Sequence, residues 1–264
     1  RDSPTPAKQR SGLALVCIVK NEARYIAEWA GFHIRAGVAH IYVYDDGSID
    51  ATLEVLRKAV PHDKLTILPW KQRLSDHRLQ REIHNQVMAY AHAVSNFGGL
   101  YRWMSFIDID EFLIPSKETD LNKALSHLEQ VPNISLPWHM FGTSGHQSRP
   151  GGGVLESYIT RAANPMSDDT GVRAFKCIVD PCRVTAMRVH SIETDGTHDT
   201  WNDKGERFNH TTRNKANFYS TSAIQLNHYY TRSQEDIDEK INRGHNLKAK
   251  STEYQRNCLL YTSP

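Results

Sequence analysis

No run in this 264-residue chain approaches the roughly 20 consecutive apolar residues that span a bilayer, and no secretory leader is visible. Charge of one sign is missing too. The 32 Lys and Arg nearly balance the 30 Asp and Glu, and no long basic run stands out, which argues against nucleic acid as the main partner. Cysteine is scarce. The four present include no Cys-x-x-Cys pair, so a structural zinc site is not expected. Cys177 and Cys182 flank Ile-Val-Asp-Pro and can bridge a turn, but nothing else reads as disulfide-stapled and free thiols are expected. The Gly-x-Gly-x-x-Gly fingerprint is absent, which speaks against a dinucleotide oxidoreductase. The first strand also lacks the Gly-rich basic loop of many nucleotidyltransferases. Asn133 and Asn209 open Asn-x-Ser/Thr sequons at a frequency chance supplies. The polar opening segment, with Pro4 and Pro6, suggests a trimmed chain. The expected compartment is cytoplasmic with peripheral membrane association, or the Golgi lumen if a eukaryotic anchor has been removed.

What is present suits a folded enzyme. Apolar residues make up 39%, enough for a core, and charged residues 23%. The length fits a single domain over 1–264, read as two fused halves at about 12–115 and about 116–264.

The hydrophobic pattern alternates between strand and helix through the first half. Residues 13–19 read as a buried strand that includes Cys17. Asn21 then caps a helix running to about Ala36. Strands follow at 40–45, about 64–68 and about 102–109. Between them lie helices at 49–59 and about 77–95, the latter with Ile83, Val87, Tyr90, Ala91 and Val94 on one face. This order predicts an α/β fold, a mostly parallel sheet with helices on both faces. After Pro115 come a helix near 120–130 and strands around 133–138, 154–160, 174–179, 183–190 and 223–230. Residues 192–222 are polar without a clear period. A loop that long is usually functional or mobile, and it is suited to closing over a substrate. Ser233 caps a final helix, with Glu235 and Asp236 in its first turn, Arg243 in its last and Gly244 at its end.

Two acidic motifs lie where apolar runs stop. In Phe106-Ile-Asp-Ile-Asp-Glu-Phe-Leu-Ile114, Asp108 and Asp110 share one side if the segment is extended. Two carboxylates together are costly unless a cation compensates them, and a divalent ion that also meets phosphate is the natural partner. In Tyr44-Asp-Asp-Gly-Ser48, Gly47 makes a turn and Ser48 can cap the next helix, while Asp45 or Asp46 can contact a nucleotide. Ligands of open α/β sheets bind beyond the carboxyl ends of the strands, where both motifs fall. Elsewhere, His139, His146, Glu156, His190 and Asp195 are candidates for acceptor-side chemistry. Each has the plainer reading of a hydrogen-bonded loop or strand residue. Arg149, Arg161, Lys176 and Arg213 are candidates to meet phosphate, and the alternation around Lys176 predicts an inward-facing charge.

Taken together, these motifs resemble a glycosyltransferase of the GT-A fold, of the family 92 type and the related bacterial family 2-like proteins. Five stretches carry the likeness: Cys17-Ile-Val-Lys-Asn-Glu22, Tyr44 to Ser48, Phe106 to Leu113, Trp138-His-Met-Phe-Gly-Thr-Ser-Gly-His146, and Asn227-His-Tyr-Tyr-Thr-Arg-Ser233 with the helix after it. The resemblance implies a nucleotide-diphosphate sugar donor, a glycan or glycolipid acceptor, no nucleic acid, and bound Mn²⁺ or Mg²⁺. It places donor contacts at Lys20, Asn21, Glu22, Asp45, Asp46, Gln86, Asp108 and Lys176, and the metal at Asp108, Asp110 and His228. Transfer is expected to invert the anomeric centre. No motif names the acceptor-side base, for which Glu156, Asp195 and His146 are carried forward. A nucleotidyltransferase and an inactive glycan- or nucleotide-binding module are the alternatives, and the intact pair of aspartates argues against the second.

Overall fold

In a computed structural model the described residues are 3–78, 80–168 and 172–242. In chain order the elements are β1 (Leu13–Val19), α1 (Ile26–Arg35), β2 (His40–Asp45), α2 (Thr52–Ala59), β3 (Leu65–Pro69), β4 (Leu74–Asp76), β5 (Arg81–Ile83), α3 (Asn85–Phe97), β6 (Trp103–Phe106) and β7 (Glu111–Pro115). Then follow α4 (Leu121–Leu125), β8 (Asn133–Met140), α5 (Val154–Ser157), β9 (Phe175–Val179), β10 (Val184–Met187), β11 (Ile192–Thr194), β12 (Asp199–Trp201), β13 (Arg207–Asn209), β14 (Ile224–His228) and α6 (Gln234–Asn242).

A ten-stranded sheet organises the chain in the order β13-β12-β8-β9-β6-β1-β2-β3, with β14 joining β7 to β8. The β1–β2, β2–β3, β1–β6, β8–β12 and β8–β14 pairs are parallel. The antiparallel β9 sits between β6 and β8 and turns the sheet into its second half. Strand parity divides the core. Leu13, Leu15, Cys17, Ile41 and Val43 face one side with Ile26, Trp29 and Ala30 of α1 and Leu56 of α2. Ala14, Val16, Tyr42 and Tyr44 face the other with Ala89, Tyr90, Ala93 and Val94 of α3. A strand buried on both faces reads as a continuous apolar run, as residues 13–19 do. The architecture is therefore a GT-A-like α/β fold with a mostly parallel central sheet and helices on both faces. Among the described residues no helix is long and apolar enough to cross a membrane, and Cys17, Cys177 and Cys182 are free thiols.

Four expectations need correction. The helix expected over 77–95 begins only at Asn85, because residues 74–83 form the β4–β5 hairpin. Asp76 accepts the Arg78 amide there and Gln80 takes a left-handed φ of 48°, turn chemistry that overrides the apolar period. Asn21 does not cap α1, which starts at Ile26; its own φ of 56° makes a turn instead. Residues 154–157 are one helical turn, not a strand. The Glu28 carboxylate takes the Val154 and Leu155 amides at 2.6 and 3.1 Å, and a Cβ on Gly153 would fall 2.6 Å from Glu28 Oε1. Finally, 192–222 is not a patternless loop. It carries β11, β12 and β13, with Trp201 paired to Ile134 of β8.

At the end of the described chain, Ser233 caps α6 by a reciprocal exchange. Its Oγ takes the Asp236 amide and Asp236 Oδ2 takes the Ser233 amide, both at 3.2 Å. Arg243 and Gly244, expected to close that helix, lie outside the described residues.

Candidate functional site

The Asp-x-Asp segment is a turn rather than an extended strand. After Phe106 the chain leaves β6 and closes on itself: Glu111 donates its amide to the Asp108 carbonyl at 3.0 Å, and Asp108 donates its amide to Glu111 Oε2 at 2.8 Å. The two aspartates therefore meet different partners. Asp108 Oδ1 accepts from Gln86 of α3 at 2.7 Å and Oδ2 from Lys176 of β9 at 2.8 Å. Asp110 Oδ2 accepts from Lys240 of α6 at 3.0 Å, and its Oδ1 lies 3.4 Å from His228 Nε2 at the end of β14.

Sheet register explains how residues so distant in sequence converge. β14 runs antiparallel to β7, setting His228 opposite Glu111, and parallel to β8, setting it opposite Met140. The Tyr229 amide then bonds the Asp110 carbonyl at 2.7 Å. Lys176 comes from β9, which borders β6, and is 1% exposed.

The charges are tightly coupled. Burial alone would raise the Asp110 pKa, but Lys240, His228 and Arg232 hold its carboxyl well below the usual range. Burial pushes the fully buried Glu111 well above the carboxylate range, against the pull of Lys176. Burial would also discharge Lys176, yet Asp108 and Glu111 keep it charged. Among the described residues Glu111 Oε1 has no hydrogen-bond partner. Arg232 is 3% exposed, stacks on the Tyr25 ring 3.8 Å from its centroid, and reaches Glu22 only at 3.5 Å.

The donor-side candidates fall in two groups. Asp45 is buried, and its Oδ1 takes the Ser48 amide at 3.0 Å. Ser48 Oγ takes the Asn21 amide at 3.0 Å, and Asn21 Oδ1 takes the Ile49 amide at 2.9 Å. Those bonds stitch the ends of β1 and β2 together. Asp46 instead faces Arg73 at 3.0 Å, Asn85 at 3.4 Å and Lys20 at 3.8 Å. Asn85 and Gln86, the first two residues of α3, thus reach Asp46 and Asp108 respectively. Glu22 lies nearer Arg232 and lines a cavity of about 210 Å³ with Asn21, Tyr25, Arg232 and Lys240, the last of which also bonds Asp110.

Of the three base candidates, two have partners and Glu156 is exposed. His146 Nε2 contacts the Ser157 carbonyl at 3.0 Å, Asp195 pairs with Arg183 at 2.5 Å on the β10–β11 side, and Glu156 lies on α5. Of the basic candidates, Arg149 pairs with Asp236 at 2.8 Å, Arg161 bonds His139 Nδ1 at 3.0 Å, and Arg213 bonds Ser135 Oγ and the His190 carbonyl, both at 2.9 Å. Glu111, Lys240, Arg232 and Trp138 were missed as individual site residues. For Glu111 a signal existed, since an acid amid Ile109, Phe112 and Leu113 has to be buried or paired. For Lys240 nothing in an amphipathic helix distinguishes one lysine from its neighbours.

A divalent ion can be tested against these side chains. Asp110 Oδ1 and His228 Nε2, 3.4 Å apart, are spaced much like adjacent ligands of one ion, roughly 3 Å for bonds of about 2.1 Å. Among the described residues no third His, Cys, Asp or Glu completes a set. An ion held by one or two protein groups leaves positions for water and substrate phosphate, as Mg²⁺ usually does, and an imidazole in the set favours Mn²⁺. The residues present therefore fit such an ion as a partial ligand set.

Comparison with known proteins follows the same lines. The chain is 28% identical over 173 residues to a glycosyltransferase family 92 protein of Oryza sativa subsp. japonica, covering 63% of this chain and 27% of that protein. It is 27% identical over 160 residues to one of Ricinus communis, covering 58% of this chain and 27% of that protein. It is 23% identical over 198 residues to galactan beta-1,4-galactosyltransferase GALS3 of Arabidopsis thaliana, covering 74% of this chain and 37% of that protein. The chain thus spans about a quarter of the first two relatives' length. The family model for glycosyltransferase family 92 matches residues 15–259, and the chain belongs to that family.

Proposed function

We propose that this chain catalyses transfer of a sugar from a nucleoside-diphosphate donor to a hydroxyl of a glycan or glycolipid, with inversion at the anomeric carbon. The observation that carries this reading is the convergence of Asp110 and His228 beside the Asp108–Lys176 pair, at the carboxyl ends of the central strands. Galactose on a galactan acceptor is the first pairing to test, since it is what the name of the Arabidopsis relative specifies.

The residues divide the work. Asp46 offers an acceptor to the nucleotide, and Gln86 donates to Asp108 and so orients that carboxylate, whose remaining lone pairs can meet a ribose hydroxyl. Lys176 fixes Asp108 from behind and keeps the site from becoming uniformly negative. Asp110 and His228 would hold Mn²⁺ or Mg²⁺, which when bound supplies positive charge against the departing diphosphate. Lys240 and Arg232 add fixed positive charge on the same side. The acceptor oxygen bonds to the anomeric carbon while the bond to the phosphate oxygen breaks, and the electron pair leaves with the diphosphate. The acceptor proton passes to a base on the opposite side of the sugar.

A panel of nucleotide sugars, screened with β-1,4-galactan oligosaccharides and with water as acceptor, tests this reading with and without chelator. Metal-dependent turnover of one donor is expected. Asp110→Asn is expected to lose most of it, because a charge interaction worth several kcal/mol, roughly, is removed from the transition state. Absence of turnover of every donor, together with no nucleoside-diphosphate binding, overturns it.

A further inference from the structure

The inverting reaction needs a proton acceptor, and the carboxylates at the centre of the site are committed. Both oxygens of Asp108 are taken by Gln86 and Lys176. Asp110 is flanked by His228 and Lys240. Glu111 is fully buried beneath them. Asp195 pairs with Arg183, His146 contacts the Ser157 carbonyl, and Glu156 is an exposed residue of α5.

Three imidazoles surround the central β8 segment. His228 packs its ring on Trp138, with centroids 4.2 Å apart, and is 3% exposed. His139 is 1% exposed and takes a hydrogen bond from Arg161 on Nδ1. His190 packs edge-on against the Trp138 indole from 5.2 Å, and it alone of the three is exposed. Asp110, His228, Trp138 and His190 therefore form a continuous row from the proposed diphosphate side to solvent. The Trp138 ring is half-buried, a flat apolar surface of the kind on which the C–H face of a sugar packs.

We infer that His190 is the catalytic base of this transferase, its Nε2 receiving the acceptor hydroxyl proton over the Trp138 ring. The inference rests on the transferase reading above and supplies the group that reading leaves unnamed. Three observations support it. Among the described residues the partner of Nδ1 is the Phe175 carbonyl at 3.2 Å, an acceptor that fixes Nδ1 as the protonated nitrogen and leaves the Nε2 lone pair available. The His190 carbonyl is clamped by Arg213, itself buried and stacked on Phe175, so the ring sits on a held backbone. Ring desolvation and the Lys176 charge both lower the imidazole pKa, keeping it neutral at physiological pH.

The step balances. The acceptor oxygen forms its bond to the anomeric carbon as the bond to phosphate breaks, and the pair departs on the diphosphate. The hydroxyl proton moves to Nε2, giving an imidazolium that later releases it to water. Asp108, Lys176 and His228 are the charged or titratable groups facing this ring, and Arg213 lies behind its backbone.

His190→Ala and His190→Gln test the assignment with nucleotide-linked galactose, a β-1,4-galactan oligosaccharide and Mn²⁺. The expected result is a kcat lower by about 10²–10⁴ in both, with nucleoside-diphosphate affinity by calorimetry within about twofold of wild type. The acidic limb of the wild-type pH profile should vanish. Variants within threefold of wild type in kcat overturn the inference while leaving the transferase reading intact. Nitrogen-15 spectra of the imidazoles, assigned by comparison with His190→Gln, need no substrate. A neutral ring protonated on Nδ1 and titrating below 6.5 is expected. A ring protonated on Nε2, or one still charged above 6.5, overturns the inference whatever the donor proves to be.

Discussion

His33 takes the Leu113 amide proton on Nε2 at 3.2 Å and donates Nδ1–H to the Trp29 carbonyl at 2.8 Å. One fully buried neutral ring thus ties α1 to β7, the strand that follows directly from the acidic turn. The ring can act as both acceptor and donor only while it carries a single proton.

Protonation should therefore loosen the frame around the site. Burial lowers the His33 pKa to about 3, whereas the unfolded chain titrates it near 6.5, roughly. Between these values the unfolded chain binds the extra proton. This group's contribution is complete above about pH 6.5 and falls by about 1.4 kcal/mol per pH unit as pH drops toward 3. Denaturant unfolding across pH 4.5–7 measures the slope. His139, lowered to about 4 by burial and Arg161, adds to it, so His33→Phe isolates the share of His33. That variant should be less stable at neutral pH, because the Leu113 amide loses its acceptor, and visibly less steep. A slope identical to wild type would refute the assignment.

The Lys176–Asp108–Glu111 group makes a second prediction. Lys176 is buried and serves both acids, at 2.8 Å from Asp108 and 3.4 Å from Glu111. Lys176→Met removes the cation that faces both Asp108 and Glu111. Breaking a buried pair from one side costs roughly 3–5 kcal/mol. Asp108 is 35% exposed and can turn to water, which favours the low end. Adding Glu111→Gln should recover part of the loss, because the uncompensated acid is then gone. Unfolding free energies of the two single variants and the double variant decide it. Strict additivity would mean that Lys176 and Glu111 do not act on one another.

The parallel strands and the α1 face were legible because burial on both sides leaves uninterrupted apolar runs, and one-sided burial leaves a helical period at Ile26, Trp29, Ala30 and His33. Asp108 and Asp110 were legible as a pair, but not the turn that separates their partners. That turn depends on Glu111 folding under Asp108, a contact set by β14 and β9 rather than by local preference. The β4–β5 hairpin was hidden because Ile83 and Val87 complete a plausible helical stripe, and only the left-handed Gln80 and the Asp76 turn break it. Residues 192–222 carry strands of three residues each, too short for any alternation to register.

The last prediction separates two adjacent aspartates that sequence left interchangeable. Asp45 is turned inward and spent on the Ser48 amide, the first of the bonds that join the ends of β1 and β2. Asp46 faces outward between Arg73, Lys20 and Asn85. Asp45→Ala should therefore lower unfolding free energy by about 1–2 kcal/mol, the usual cost of orphaning a bonded amide. Its effect on nucleotide affinity should be the smaller of the two. Asp46→Ala should leave stability nearly unchanged, since its partners Arg73 and Lys20 are exposed and screened. If Asp46 meets the nucleotide, that variant should weaken nucleoside-diphosphate binding by about 1.5–3 kcal/mol, the worth of a hydrogen bond to a charged group. Calorimetry with nucleoside diphosphate and Mn²⁺, paired with denaturant unfolding of both variants, reads the two effects separately. The opposite pattern, with Asp45→Ala stable but unable to bind and Asp46→Ala binding normally, would move the nucleotide contact inward and make the outward carboxylate a plain surface pair.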